Sequence, residues 1–158
     1  MSSSVLLSLG SNEGDRAYHL RVALHRLGAV VRLVRISSVW VSDPLGCPPG
    51  SPSFFNLVAA GVTSLPAEEL ILQTIAIERS MGRVRTRRNA PRPIDIDLIF
   101  VGGRRVRSPA LVLPHPRYAE REFVLAPIRE LGLRWFDSRE GTEIARMRGK
   151  GRVRRLDP

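Results

Sequence analysis

Ile94-Asp95-Ile96-Asp97-Leu98-Ile99-Phe100-Val101 sets two acids at alternate positions in a run that is otherwise apolar. In an extended strand successive side chains point to opposite faces. Ile94, Ile96, Leu98 and Phe100 are therefore expected on one side, with Asp95 and Asp97 together on the other. The two Cα atoms then lie about 7 Å apart, close enough for both carboxylates to reach one ligand. Like charges side by side in an apolar strand are unfavourable unless a cation compensates them. Mg2+, which favours carboxylate and phosphate oxygen, is one such cation. Structural ion pairs with nearby arginines are the other reading.

The elements on either side of this strand set its fold. Before it, Arg83 to Pro93 is irregular and carries arginines at 83, 85, 87, 88 and 92. A helix precedes that segment, opened by Pro66 with Glu68 and Glu69 near its positive dipole end and closed by Gly82. Phe54 to Val62 reads as a strand. Residues 42 to 53, with four Pro and two Gly, form a loop long enough to suggest a function. Val30 to Val41 is rich in β-formers without strict alternation, so a bend is expected near Ser37-Ser38. Leu20, Ala23, Leu24 and Leu27 recur at helical spacing, and Val5 to Leu9 is a first strand closed by Gly10-Ser11-Asn12. After Val101, Gly102-Gly103 is expected to turn a hairpin into Arg104-Arg105-Val106, and a helix runs from Tyr118 to Leu131. The order strand, helix, strand, strand, helix, strand is the split βαβ arrangement. The expected class is α+β: a ferredoxin-like βαββαβ domain with its helices on one face of an antiparallel sheet, plus C-terminal helix and hairpin additions. Residues 1–158 form a single domain, of which 145–158 are expected as a flexible basic tail. This fold serves many functions, so the chemistry must be read from a site.

Charge narrows the site. The chain of 158 residues carries a formal +10, from 25 basic and 15 acidic side chains. Residues 1–80 are neutral, with six of each sign, and residues 83–107 hold eight Arg against two Asp. A second basic cluster, residues 139–158, has seven basic residues against three acidic ones. Five guanidiniums next to a carboxylate pair suit a polyphosphate, with arginine for the oxygens and a divalent cation on the aspartates. The competing reading of such a charge run is a solvated loop or an RNA backbone contact. No apolar run approaches the roughly 20 residues needed to cross a bilayer, and the N-terminus lacks a signal-peptide pattern, so a cytoplasmic protein is expected. The single Cys47 and three scattered His exclude a Cys/His zinc pattern, and no P-loop motif is present. Adjacent Phe54 and Phe55 point to opposite faces, leaving one ring free for a planar ligand, and Asn56 suits a heterocycle with amide and amine edges. His115, alone in a loop, reads by itself as an incidental hydrogen-bonder.

These residues also occur in a recognisable order. Leu9-Gly10-Ser11-Asn12, Pro44-Leu45-Gly46, Phe54-Phe55-Asn56, Gly82-Arg83-Val84-Arg85, Pro91-Arg92-Pro93-Ile94-Asp95-Ile96-Asp97, Leu113-Pro114-His115-Pro116 and Arg121-Glu122-Phe123 resemble the 6-hydroxymethyl-7,8-dihydropterin pyrophosphokinase family over about residues 5 to 131. The resemblance implies a ferredoxin-like enzyme of folate biosynthesis. Such an enzyme moves the β,γ-diphosphate of ATP to the pterin's hydroxymethyl oxygen and releases AMP. By the same resemblance, Asp95 and Asp97 are ligands of two Mg2+ ions. Arg83 and Arg92 engage phosphate as the site closes. Arg85, Arg88, Leu98, His115 and Arg121 contact ATP. Phe54 and Phe123 sandwich the pterin, Asn56 bonds its edge, and Ser42, Pro44 and Leu45 complete the pocket. Asn89 stands where some members carry a Trp, a departure that bears on how the loops latch. Expected partners are ATP and the pterin, with no nucleic acid and no membrane; the oligomeric state is open and leans to a monomer. The alternative is a nucleic-acid-binding ferredoxin-like module. The acids on the central strand argue against it, because such modules display aromatics and basic residues there.

Overall fold

The computed structural model describes residues 1–44, 46–84, 89–132, 134–137 and 142–156. In chain order the elements are β1 (Ser3–Ser11), α1 (Arg16–Leu27), β2 (Arg32–Ile36), β3 (Trp40–Ser42), β4 (Phe54–Thr63), α2 (Ala67–Ser80) and β5 (Asp95–Val101). There follow β6 (Val106–Arg107), β7 (Val112–Leu113), α3 (Glu122–Leu131), β8 (Phe136–Asp137), β9 (Thr142–Glu143) and β10 (Val153–Arg155). Local chemistry explains the helix ends. The Asp15 carboxylate caps α1 by accepting from the Tyr18 N–H at 3.1 Å, and Glu68 and Glu69 sit in the first turn of α2.

The main sheet is antiparallel, ordered β10-β3-β4-β1-β5, with β2 also on β4. Its centre has the expected ferredoxin-like arrangement. The long second strand breaks where a bend was expected, into β2 and β3. The Glu130 carboxylate of α3 holds the break, accepting from the Ser38 N–H at 2.9 Å, the Ser38 hydroxyl at 2.8 Å and the Trp40 indole at 2.7 Å.

Helices cover both faces of the sheet. Val5, Leu7 and Leu9 of β1 pack with Leu20 and Leu27 of α1 and Leu70 of α2. Leu6 packs the other way, with Val58, Val124, Leu125 and Ile128. The expectation of helices on one face therefore holds for α1 and α2, while α3 covers the opposite face. A strand buried on both sides reads as a continuous apolar run, as Val5-Leu6-Leu7 does.

Three further expectations are corrected. Phe100 does not share a face with Ile96 and Leu98. The β1–β5 register shifts between Leu6 and Leu7, leaving Ile99 as an extra residue and moving Phe100 to the α3 side. Gly102-Gly103 does not fold the chain back as a hairpin on β5; β6 pairs with β7 instead. The segment 145–158, expected as a flexible basic tail, carries structure through residue 156. There β10 pairs with β3, and the Leu156 N–H bonds the Val39 carbonyl at 2.8 Å. Among the described residues, no helix is long and apolar enough to cross a membrane.

Candidate active site

The register of β1 against β5 sets Gly10 opposite Asp95 and Ser8 opposite Asp97. Small neighbours leave room above both carboxylates, which open into a cavity of about 470 Å³. Phe54, Asn56, Ser42, Arg121 and Phe123 line the same cavity. Gly10 lies in close approach to the pocket: a Cβ would sit 3.2 Å from Asn56 Oδ1, tight enough to press on the buried amide, and 3.5 Å from Phe54 Cδ1. Buried Asn56 donates its two amide hydrogens to Trp40 O at 3.1 Å and Ser42 Oγ at 2.8 Å. Its carbonyl oxygen is the end left to accept. Phe54 faces the cavity while Phe55 packs against the α1–α2 core, as alternation requires.

The carboxylates are held by different partners. Asp95 Oδ1 lies 2.5 Å from Arg83 Nη1, and Asp95 Oδ2 lies 3.5 Å from Arg92 Nε. Asp97 Oδ2 lies 3.6 Å from Arg121 Nη1 and 3.9 Å from His115 Nε2. Arginine ion pairs and a carboxylate pair thus occur together, and the two readings open in the sequence are not exclusive. Burial, with the charge of Asp95 behind it, raises Asp97 to about 7 against the opposing pull of Arg121. Burial also lowers His115 to about 4, aided by Arg121. The Arg117 N–H donates to His115 Nδ1 at 3.1 Å, so the neutral ring carries its proton on Nε2, on the side of Asp97.

Asn12 fixes the approach of Arg92. Its Oδ1 accepts from the Arg92 N–H at 2.9 Å, and its own N–H donates to the Arg92 carbonyl at 3.2 Å. Among the described residues Arg92 Nε is buried without a hydrogen bond, and the guanidinium lies 5.2 Å from the centre of the Phe54 ring. Asn89, in the left-handed region at φ 57°, donates to the Gly46 carbonyl at 2.9 Å. It thereby ties the two long loops together.

Of the residues expected at a site, Ser42, Phe54, Asn56, Asp95, Asp97, Arg121 and Phe123 share the cavity. Arg83, Arg92 and His115 reach the two carboxylates without lining the cavity themselves, and Pro44 does not line it either. Leu98, expected among the nucleotide contacts, does not line the cavity; its side chain is buried with Ile96 under α1 and α2, on the face away from the aspartates. Leu45, Arg85 and Arg88 lie outside the described residues. Glu78 was not anticipated. It accepts from Arg83 Nη1 at 2.5 Å and from the Ile96 N–H at 3.2 Å, tying α2 to the strand that carries both aspartates. Its signal was present, since Leu70, Thr74 and Glu78 share the buried face of α2 at four-residue spacing.

The donor set suits a hard cation. Two carboxylates share one face at the cavity, and burial, with the neighbouring charge of Asp95 second, pushes Asp97 toward protonation. Among the described residues no third His, Cys, Asp or Glu completes a cage. Mg2+ is held in this way, by one or two carboxylates with phosphate and water filling the rest of its shell.

The family described as 7,8-dihydro-6-hydroxymethylpterin-pyrophosphokinase (HPPK) matches residues 6–132. The 2-amino-4-hydroxy-6-hydroxymethyldihydropteridine pyrophosphokinase of Bacillus subtilis is 38% identical over 133 residues, covering 83% of this chain and 79% of that protein. The protein of the same name from Pseudomonas aeruginosa is 37% identical, covering 91% of each chain. Among solved structures, Plasmodium falciparum HPPK-DHPS A437G superposes with a TM-score of 0.72 at 14% identity, over 92% of this chain and 44% of that one. That likeness speaks for the fold alone, and this chain spans less than half of that protein. The family match and the two bacterial relatives, each covered over most of its length, show that the chain belongs to the 7,8-dihydro-6-hydroxymethylpterin-pyrophosphokinase family.

Proposed function

We propose that this cavity is where the β,γ-diphosphate of ATP passes to the hydroxymethyl oxygen of 6-hydroxymethyl-7,8-dihydropterin, giving AMP and the pterin diphosphate for folate synthesis. The observation that carries the reading is the pair Asp95 and Asp97, side by side at one end of a cavity whose other walls include two aromatic rings and a buried amide. Asp95 and Asp97 would hold two Mg2+ ions. When bound there, Mg2+ neutralises charge on the phosphate oxygens and orients them for in-line attack at the β-phosphorus.

The remaining work falls to the chain's own residues. Arg83 and Arg92, already directed at Asp95, supply guanidiniums beside the transferred group. Neutral His115 offers its Nε2–H, and Arg121 its charge, on the Asp97 side. Phe54 and Phe123 bracket a flat ring, and the carbonyl oxygen of Asn56 accepts from the ring's amine edge. Arg85 and Arg88 would add phosphate contacts, and the backbone near Ser42, Pro44 and Leu45 would close the pterin side. Rate acceleration then comes mainly from alignment and charge stabilisation.

The alternative as an RNA-binding module finds no support. Such modules read RNA on an open sheet face, and here α3 covers part of that face while the part left open carries the two aspartates. Incubation with ATP, Mg2+ and 6-hydroxymethyl-7,8-dihydropterin is expected to yield AMP, whereas ADP would refute diphosphoryl transfer. Asp95→Ala and Asp97→Ala should each abolish AMP formation while the protein stays folded; turnover retained in both would sink the assignment.

A further inference from the structure

We propose that the C-terminal segment forms a second cationic wall of this site, on which Lys150 and Arg152 bind the polyphosphate of the nucleotide. The inference rests on the functional reading above and extends it to a basic cluster that reading left unused.

Four consecutive residues, Lys150-Gly151-Arg152-Val153, line the same cavity as Asp95 and Asp97. Both ends of this strap are anchored. On one side the Lys150 N–H bonds the Glu120 carbonyl at 2.8 Å, and the Glu122 N–H bonds the Lys150 carbonyl at 3.1 Å. The Gly149 N–H adds a bond to Glu122 Oε2 at 2.7 Å. On the other side β10 pairs with β3, setting Val153 opposite Ser42. The strap therefore spans from the Arg121–Phe123 wall to the Ser42 wall, and the backbone positions of Lys150 and Arg152 are set by main-chain bonds.

Charge indicates what the strap would bind. The acids on the cavity wall are Asp43, Asp95, Asp97 and Glu120, and the bases are Arg117, Arg121, Lys150 and Arg152. Arg117 is engaged with Glu120 at 3.7 Å and Arg121 with Asp97 at 3.6 Å. Lys150 and Arg152 make no ion pair among the described residues, and both are exposed at the mouth. Among the lining side chains the four acids are matched by four bases only with Lys150 and Arg152 included, and these two are the bases not engaged by a carboxylate among the described residues, so they are the ones placed to meet phosphate oxygen. The dihydropterin is uncharged, so the effect should fall on one substrate alone.

The test is steady-state kinetics of AMP formation by Lys150→Gln/Arg152→Gln, beside the control Arg154→Gln/Arg155→Gln. The control removes the same charge from β10 residues that do not line the cavity. Exposed ion-pair strengths predict that KM for MgATP rises about tenfold in the first variant, and less at high salt. The kcat, the pterin KM and the melting temperature should hold, and the control should be silent. An unchanged KM for MgATP would overturn the inference, as would an equal rise in the control or in the pterin KM. Failure of the unsubstituted protein to form AMP is a separate outcome; it would overturn the functional reading and this inference with it.

Discussion

Replacing Glu78 tests whether the platform under Asp95 and Asp97 is held together from α2. The Glu78 side chain is 5% exposed and that of its partner Arg83 is 13% exposed. One carboxylate oxygen serves both Arg83 Nη1 and the Ile96 N–H, while Arg83 also reaches Asp95 at 2.5 Å and the Ile94 carbonyl at 3.2 Å. Glu78→Ala removes both bonds. Leaving the buried Ile96 N–H without an acceptor costs about 1 to 3 kcal/mol, and breaking a buried ion pair by deleting one partner costs about 3 to 5 kcal/mol. Arg83 keeps Asp95, so the two losses overlap, and a total of about 3 to 5 kcal/mol is expected. In a domain of this size that lowers Tm by about 10 °C. Glu78→Gln keeps one oxygen for both the Ile96 N–H and Arg83 Nη1 and loses only the charge, so its loss should be about half as large. Urea denaturation of both variants, with Arg83→Gln added to close a double-mutant cycle, reads these differences. A Glu78→Ala protein within about 1 kcal/mol of the parent would refute the reasoning, as would Glu78→Gln being no milder than Glu78→Ala.

Two further outcomes are expected. Burial works to raise the pKa of Glu130, but hydrogen bonds from Ser38 and Trp40 outweigh it and leave the carboxyl below its usual range. A depressed folded pKa gives stability that is present above the unfolded value of about 4.3 and is lost as pH falls through the folded one. Tm should therefore drop between about pH 5 and 3 more steeply in the parent than in Glu130→Gln, and parallel curves would exclude Glu130 as a contributor. Gly149→Ala would place a Cβ against the Glu122 backbone nitrogen and 2.7 Å from the Arg121 carbonyl carbon. The strap must shift by about the width of the overlap, costing about 1 to 3 kcal/mol; a denaturation midpoint equal to the parent's would show that the chain is not clamped there.

The parts of this molecule legible in its sequence are those that repeat with a period. Leu20, Ala23 and Leu27 at helical spacing, and Asp95 and Asp97 at strand spacing, could be placed because the backbone geometry alone determines their faces. The break between β2 and β3 was visible in the same way, as a failure of alternation. What escaped lacks a period. The extra residue at Ile99 redirects Phe100, yet Leu98-Ile99-Phe100-Val101 is apolar on either register, so nothing in the composition marks the shift. The β6–β7 pairing depends on two-residue strands too short to show a pattern. The C-terminal strap is held by main-chain bonds to Glu120, Glu122 and β3, and main-chain bonding leaves no trace in side-chain type. Its charge was conspicuous, but a run of arginines is equally consistent with a solvated tail until its anchor points are known. Even Glu78, whose place on the buried face of α2 could be read, was silent about its partners. A buried carboxylate needs a donor, and only the packing of α2 along the free edge of β5 names Arg83 and Ile96 as those donors. The site is thus legible where it depends on the aspartates and aromatic rings themselves. It is illegible where it depends on which distant backbone holds them, and that is where Glu78, Lys150 and Arg152 enter.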